Sequence, residues 1–328
     1  MTDLTASYMG IPLTSPLVVA ACSISSMIDH VRLAEQAGAG ALVIRSLFEE
    51  QVQLDALRLE ENLRAGGESY AEAASYFPEV MPGTGAEHLH WIEKTRAAVK
   101  MPLIASLNAT SPGSWVHYAR QLEGTGVNGL ELNLYAVPGD PRRDALQIEH
   151  ELLDIVAAVR AETRLPLAVK LSPFYTSFGH LAQALDRAGA DALVLFNRFL
   201  QPDIDATTET VQSEMILSTP DELRLPLRWT ALLYGRVQAE IALSTGVHSG
   251  LDAAKALLAG AQVVQTASAL LQHGIPYLST MLRQLEGWMG EHGYSLLNDF
   301  RGRLSQRDNP DPFAYERAQY VRLLASQK

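Results

Sequence analysis

A lysine, a glutamate and several asparagines stand at alternating positions of otherwise apolar runs, and that spacing is the first sign of chemistry. In GLELNL (Gly129 to Leu134) the leucines at 130, 132 and 134 form one face, with Glu131 and Asn133 on the other. In PLAVKLS (Pro166 to Ser172), Leu167, Val169 and Leu171 leave Lys170 opposite, and in PLIASLN (Pro102 to Asn108) Ser106 and Asn108 are set apart likewise. Successive side chains of a strand point to opposite faces, so each run predicts a strand with one apolar and one polar face. Arg45-Ser46 and Asn197 close two similar runs. Burying such groups without partners costs roughly 2–7 kcal/mol each. One resolution is a hydrated network in which Lys170 pairs with Glu131. The other is a flat heteroaromatic ligand, its edge held by amides and its developing negative charge met by the ammonium. A flavin ring fits the second description, because reduction gathers charge around N1 and the C2 carbonyl.

The elements that must position these groups show as a repeat. A helix-like segment ending in small residues and running into an apolar strand occurs as AEQAGAGALVIRS (Ala34 to Ser46), DRAGADALVLFN (Asp186 to Asn197) and LLAGAQVVQTAS (Leu257 to Ser268), with a looser copy in QLEGTGVNGLELNL (Gln121 to Leu134). Glycine there predicts the left-handed cap of a helix. PLVVAA (Pro16 to Ala21), PLIASLN, PLAVKLS and AEIALST (Ala239 to Thr245) bring the strand candidates to eight, each followed by a helical pattern. Eight alternating units predict an α/β fold closed as a (β/α)8 TIM barrel, with active-site residues at the C-terminal ends of the strands. An open doubly wound sheet is the alternative, and the lack of a G-x-G-x-x-G after the first strand disfavours it.

Three segments exceed a minimal barrel. SYMGIPLTSP (Ser7 to Pro16) is hairpin-like and predicts a cap on the bottom. Insertions from Leu47 to Gly85, after the second strand, and from Leu200 to Tyr234, after the sixth, read as walls or lids over the mouth, or as oligomer contacts. The whole chain, 1–328, is expected to be one domain. Ser244-Thr245-Gly246 ends the seventh strand and Thr266-Ala267-Ser268 the eighth, each before a helix. Turn N–H groups and hydroxyls at helix starts suit a phosphate.

Composition narrows the partners. The 328 residues hold 26 Lys+Arg against 37 Asp+Glu, a formal charge of −11, with no basic cluster. Nucleic acid and anionic membrane surfaces are therefore disfavoured. The apolar run Pro16 to Cys22 is far shorter than the roughly 20 residues of a membrane-spanning helix, and no basic leader precedes it, so a cytoplasmic protein is expected. The single cysteine, Cys22, excludes an internal disulfide and reads as a small buried hydrophobe. No metal-ligand spacing and no G-x-S-x-G or H-E-x-x-H motif occurs.

The ordered set of motifs resembles the dihydroorotate dehydrogenase family, FMN-binding barrels, and more its soluble class 1 branch. SPLVVAAC (Ser15 to Cys22) resembles the family's opening strand, with Ala20 and Ala21 at flavin-contacting places, and Arg45-Ser46 resembles its Lys-Ser. ELNLYAVPG (Glu131 to Gly139) and AVKLSP (Ala168 to Pro173) resemble the strands that carry the family's asparagine and flavin-contacting lysine. STGVHSGLDA (Ser244 to Ala253) and QTASAL (Gln265 to Leu270) resemble its phosphate turns, and SLLNDFRGRL (Ser295 to Leu304) its C-terminal helix. The resemblance implies FMN held by Ala20, Ala21, Arg45, Ser46, Asn108, Asn133, Lys170, Ser244, Thr245, Gly246, Thr266, Ala267 and Ser268. Lys170 and Asn133 would be catalytic, and Asn133 with Asn197 would orient a small cyclic substrate whose CH–CH bond exchanges hydride with flavin N5. It also implies dihydroorotate as that substrate, an electron acceptor and a homodimer.

The departures fall on the chemistry. The family's proton-accepting Cys or Ser after the fourth strand is Ala136 here, its glycine pair after the seventh reads Thr245-Gly246, and its Gly-Gly stretch ahead of that unit is replaced by LPLRWTAL (Leu225 to Leu232). Tyr135, Tyr175 and His248 are substitute bases by proximity in sequence, whereas His88 and His90 read as surface residues. Two rival functions remain open at the level of sequence: a non-redox lyase or synthase using Lys170 as a Schiff-base amine, and a flavin binder without catalysis.

Overall fold

The computed structural model describes residues 2–48, 85–108, 112–134, 137, 139–198, 201–212, 214–316 and 324–325. Tyr135, Ala136 and residues 49–84 of the first insertion lie outside the described residues. The chain opens with an antiparallel hairpin, β1 (Ala6–Tyr8) and β2 (Ile11–Leu13), in register Ala6 with Leu13. Six parallel strands follow: β3 (Leu17–Val19), β4 (Ala41–Phe48), β5 (Leu103–Asn108), β6 (Gly129–Asn133), β7 (Leu167–Leu171) and β8 (Ala192–Leu195). After a short ribbon of β9 (Asp203–Asp205) and β10 (Thr210–Gln212), β11 (Glu240–Leu243) and β12 (Val263–Thr266) complete an eight-stranded closed barrel in which β12 pairs with β3. All eight predicted strands are present in the predicted order.

The alternation works as read. Leu130 and Leu132 of β6, Leu167, Val169 and Leu171 of β7, and Leu103, Ala105 and Leu107 of β5 join the layer between sheet and helices. Val18, Ala41, Val43, Ile104, Ala168, Ala192, Val194, Ala242 and Val263 fill the interior instead. The same interior cluster contains Tyr8, Met9, Ile11 and Leu13, so the hairpin stoppers the bottom of the barrel as expected.

The outer helices are α1 (Ile28–Gln36), α2 (Gly85–Ala98), α3 (Pro112–Glu123), α4 (Ala145–Glu162), α5 (Phe178–Arg187), α6 (Arg224–Leu233), α7 (Gly250–Ala259), α8 (Ser268–His273) and α9 (Tyr277–Glu291). Local chemistry explains their limits. Asp144 and Gln147 form a reciprocal capping box on α4, and the Ser249 hydroxyl accepts the Asp252 N–H at the start of α7. In α5, Phe178, Leu181, Ala182 and Leu185 are buried at i, i+3, i+4 and i+7, the stripe that packs a helix on a sheet. The repeated small-residue turns place Gly38, Gly189 and Gly260 at φ of 94°, 102° and 117°, the left-handed caps read from the repeat.

Two expectations change. The insertion after the sixth barrel strand is shorter than Leu200 to Tyr234, because α6, the barrel's own sixth helix, occupies Arg224–Leu233. Ser295 to Leu304 is not a helix beyond the single turn Leu297–Asp299. Instead, Gly302 and Leu304 donate their N–H groups to the carbonyls of Leu257 and Leu258, each at 2.9 Å, satisfying the free end of α7. Phe300, 1% exposed, anchors the segment.

Candidate functional site

The polar face predicted for β6 and β7 forms a buried cluster. Glu131 is 1% exposed, Lys170 7% and Gln265 1%, all projecting inward from strands that carry apolar residues outward. Gln265 Nε2 donates to Glu131 Oε2 at 2.6 Å, and Gln265 Oε1 accepts from Lys170 Nζ at 3.3 Å. Lys170 Nζ also lies 3.7 Å from Glu131 Oε1, an ion pair without a hydrogen bond. Lysine only donates and carboxylate only accepts, so the amide of Gln265 has one orientation that serves both. Among the described residues Glu131 Oε1 is left without a hydrogen bond, as is the hydroxyl of Tyr8 in the hairpin. Burial, and then the carboxylates of Glu131 and Glu240, push the Tyr8 phenol well above its ordinary range.

Above this cluster a cleft of about 250 Å³ opens at the C-terminal ends of the strands. Ten of the predicted site residues line it: Ala20, Ala21, Lys170, Asn197, Ser244, Thr245, Gly246, Thr266, Ala267 and Ser268. Asn133 is tied to it through Asn197, whose Nδ2 donates to Asn133 Oδ1 at 2.7 Å. Arg45, Ser46 and Asn108 are not among its lining residues. Pairing of β4 with β5 shifts between Ile44 and Leu47, and at this irregularity Arg45 is exposed while Ser46 is buried with its Oγ 2.7 Å from Ser106 Oγ. Asn108 is buried at the end of β5. An adjoining cleft of about 410 Å³ shares Asn197, Arg198, Ile216 and Thr245 and is lined further by Phe174, Phe196 and Leu225.

One end of the main cleft is a concentration of small donors. Thr245 and Gly246 both sit at φ 78°, and a Cβ on Gly246 would lie 2.3 Å from Leu223 N. Thr245, where the resemblance puts a glycine, thus takes the same left-handed conformation as Gly246. Thr245 holds a conformation that disfavours β-branched residues, with its hydroxyl donating to Phe196 O at 3.1 Å. Sequence reading missed Ser218, whose N–H donates to Ser268 Oγ at 3.0 Å and whose hydroxyl donates to the same oxygen at 2.9 Å. Ser218 Oγ also accepts the Gly246 N–H at 3.4 Å and lies 3.3 Å from His248 Nε2. It comes from an insertion with no periodicity to mark it. Gln265 was also missed as a polar partner; its inward parity in β12 was the available signal.

The substitute bases disperse. Tyr175 packs on Phe178, with ring centroids 6.2 Å apart, and burial raises its phenol above the usual range. His248 stands with the small donors. His88 departs from its surface reading: on the first turn of α2 its Nε2 is buried, with no hydrogen bond among the described residues. Burial, with the Arg45 guanidinium beside it, lowers it to about 4. His90 is exposed, as read, 3.8 Å from Glu93. Cys22 is half-buried: it packs against the core cluster and also lines the cleft, and burial raises its thiol.

This donor set suits one kind of molecule. Hydroxyls and an N–H at one end match a phosphate, small alanines leave room for a flat ring, and an ammonium with a single 3.3 Å hydrogen bond in the structure retains donors for a ring acceptor. The residues therefore fit the FMN that the motifs implied. No described helix is long and apolar enough to cross a membrane. A family model for dihydroorotate dehydrogenase matches residues 82–289. The chain is 27% identical over 314 residues to the catalytic subunit of dihydroorotate dehydrogenase B (NAD(+)) of Methanothermobacter thermautotrophicus, covering 90% of this chain and 96% of that protein. It is 33% identical over 221 residues to the corresponding subunit of Pelobacter propionicus, with coverages of 63% and 70%. Identity to the chloroplastic dihydropyrimidine dehydrogenase (NADP(+)) of Arabidopsis thaliana is 24% over 223 residues, 62% of this chain and 52% of that protein. A match over more than half its length, on a closed barrel with the family's strand motifs at the mouth, makes this chain a member of the dihydroorotate dehydrogenase family and an oxidoreductase acting on CH–CH groups.

Proposed function

We propose that the chain, acting as one domain, binds FMN in the main cleft and exchanges hydride between flavin N5 and a small cyclic substrate of the dihydropyrimidine class. Bound FMN supplies the two-electron, hydride-accepting chemistry. The chain's residues bind, orient and polarise. Ser218, Ser268 and the Gly246 N–H hold the phosphate. Lys170 faces the ring edge where negative charge develops. Asn133 and Asn197, locked to each other at 2.7 Å, present their remaining amide groups to the substrate. The adjoining cleft, with Phe174 and Leu225, gives that substrate a partly apolar approach. The observation that carries the reading is the Lys170 ammonium, buried over Glu131 and Gln265 at the floor of a cleft whose far end is built of phosphate-type donors. The substrate class rests on the relatives named for dihydroorotate and dihydropyrimidine.

Two features bear on alternatives. Alanine at 136 cannot accept a proton, so dihydroorotate is tested beside dihydrouracil and other cyclic CH–CH compounds. The carboxylate of Glu131 3.7 Å from Lys170 Nζ, with the hydrogen bond to Gln265 Oε1, suits a cation there rather than the nucleophilic amine a Schiff base needs. The test is to load the purified chain with FMN and mix it anaerobically with each compound, followed by fumarate, NAD and a quinone as acceptors. A flavin absorption band that one compound bleaches and one acceptor restores is the expected result. No band after loading removes the cofactor; a band that no compound bleaches leaves a binder without catalysis.

A further inference from the structure

At the floor of the main cleft Lys170 Nζ and Glu131 Oε1 stand 3.7 Å apart, a buried pair of opposite charges. We propose that Glu131, acting on the flavin across Gln265 and Lys170, is a potential-setting residue whose carboxylate offsets the Lys170 ammonium. This rests on the FMN reading above. Glu131 is 1% exposed in a closed barrel, so its charge is poorly screened by water. Its tightest contact is the 2.6 Å bond from Gln265 Nε2, which fixes one oxygen, while the other faces Lys170 Nζ at 3.7 Å with no hydrogen bond of its own among the described residues. A direct salt bridge would absorb the ammonium. The longer pair, with a 3.3 Å bond to Gln265 Oε1, leaves Lys170 free to meet an acceptor in the cleft while keeping a negative charge behind it.

The sign follows from charge alone. Adding electrons to the bound ring adds negative charge at the edge facing Lys170. The ammonium favours that state and the carboxylate behind it opposes it. Removing the carboxylate charge without changing shape, as Glu131→Gln does, therefore favours the reduced cofactor. Adding one beside Lys170, as Gln265→Glu does, disfavours it.

The experiment measures the affinities of wild type, E131Q, E131D and Q265E for oxidised and for reduced FMN, with thermal unfolding as a check on folding. E131Q is expected to shift the ratio toward reduced FMN by about tenfold, which is ~30 mV for a two-electron couple. E131D, which keeps the charge, should stay near wild type, and Q265E should shift the other way. A structural role alone would move E131Q and E131D together. Equal shifts in those two variants, or FMN bound with one ratio in wild type and E131Q, overturn the inference and leave the cofactor assignment standing. Should E131Q fail to fold, an unchanged ratio in Q265E overturns it. A wild type that binds no FMN overturns the cofactor assignment and this inference together.

Discussion

At the scale of single residues the buried imidazole of His88 offers the sharpest solution test. The unfolded chain protonates it near 6.5 and the folded chain only at about 4, so between those values the unfolded state binds the extra proton. Stability from this group is complete above about pH 6.5 and is lost as pH falls toward 4. Between about pH 7 and pH 5 the melting temperature of wild type should therefore drop further than that of His88→Gln. Parallel pH profiles for the two proteins would contradict the buried, neutral imidazole. The sequence could not show this: His88 was two residues from the genuinely exposed His90, and only the turn of α2 toward the Arg45 end of β4 separates their fates. Glu131, Asn133 and Lys170 were legible because alternating leucines and valines left them no other face. Cys22 was not, since one cysteine just beyond a strand carries no phase.

Elements were legible wherever a period or a cap recurred. The small-residue turns announced Gly38, Gly189 and Gly260, and the eight apolar runs announced the barrel. Non-periodic segments were not legible. Ser218 sits in a stretch whose place depends on three partners distant in sequence, Ser268, Gly246 and His248. Ser295 to Leu304 looked helical but is spent on the open carbonyls of α7. The turn after β11 yields a prediction of its own. Thr245 at φ 78° carries left-handed strain of roughly 1–2 kcal/mol, partly offset by its bond to Phe196 O. Thr245→Ala loses the bond and keeps the strain, whereas Thr245→Gly loses both. Denaturant unfolding should rank Thr245→Gly above Thr245→Ala by about 1–2 kcal/mol; the reverse order would mean that the turn is not strained.

For the whole molecule, the hairpin joins the two ends of the design, since Tyr8 is packed from below against the interior whose upper layer holds Glu131. Truncation by Tyr8→Ala should cost about 3–5 kcal/mol through the void it leaves. Tyr8→Phe removes only a hydroxyl that has no hydrogen bond among the described residues, so its melting temperature should match or exceed that of wild type. A large loss in Tyr8→Phe would reveal a partner for that hydroxyl. The stopper also governs traffic. A barrel plugged by Tyr8, Met9, Ile11 and Leu13 is, among the described residues, a shaft stopped at its lower end. Lys170 is therefore reached from the rim side, and two molecules that need that same spot have to take turns.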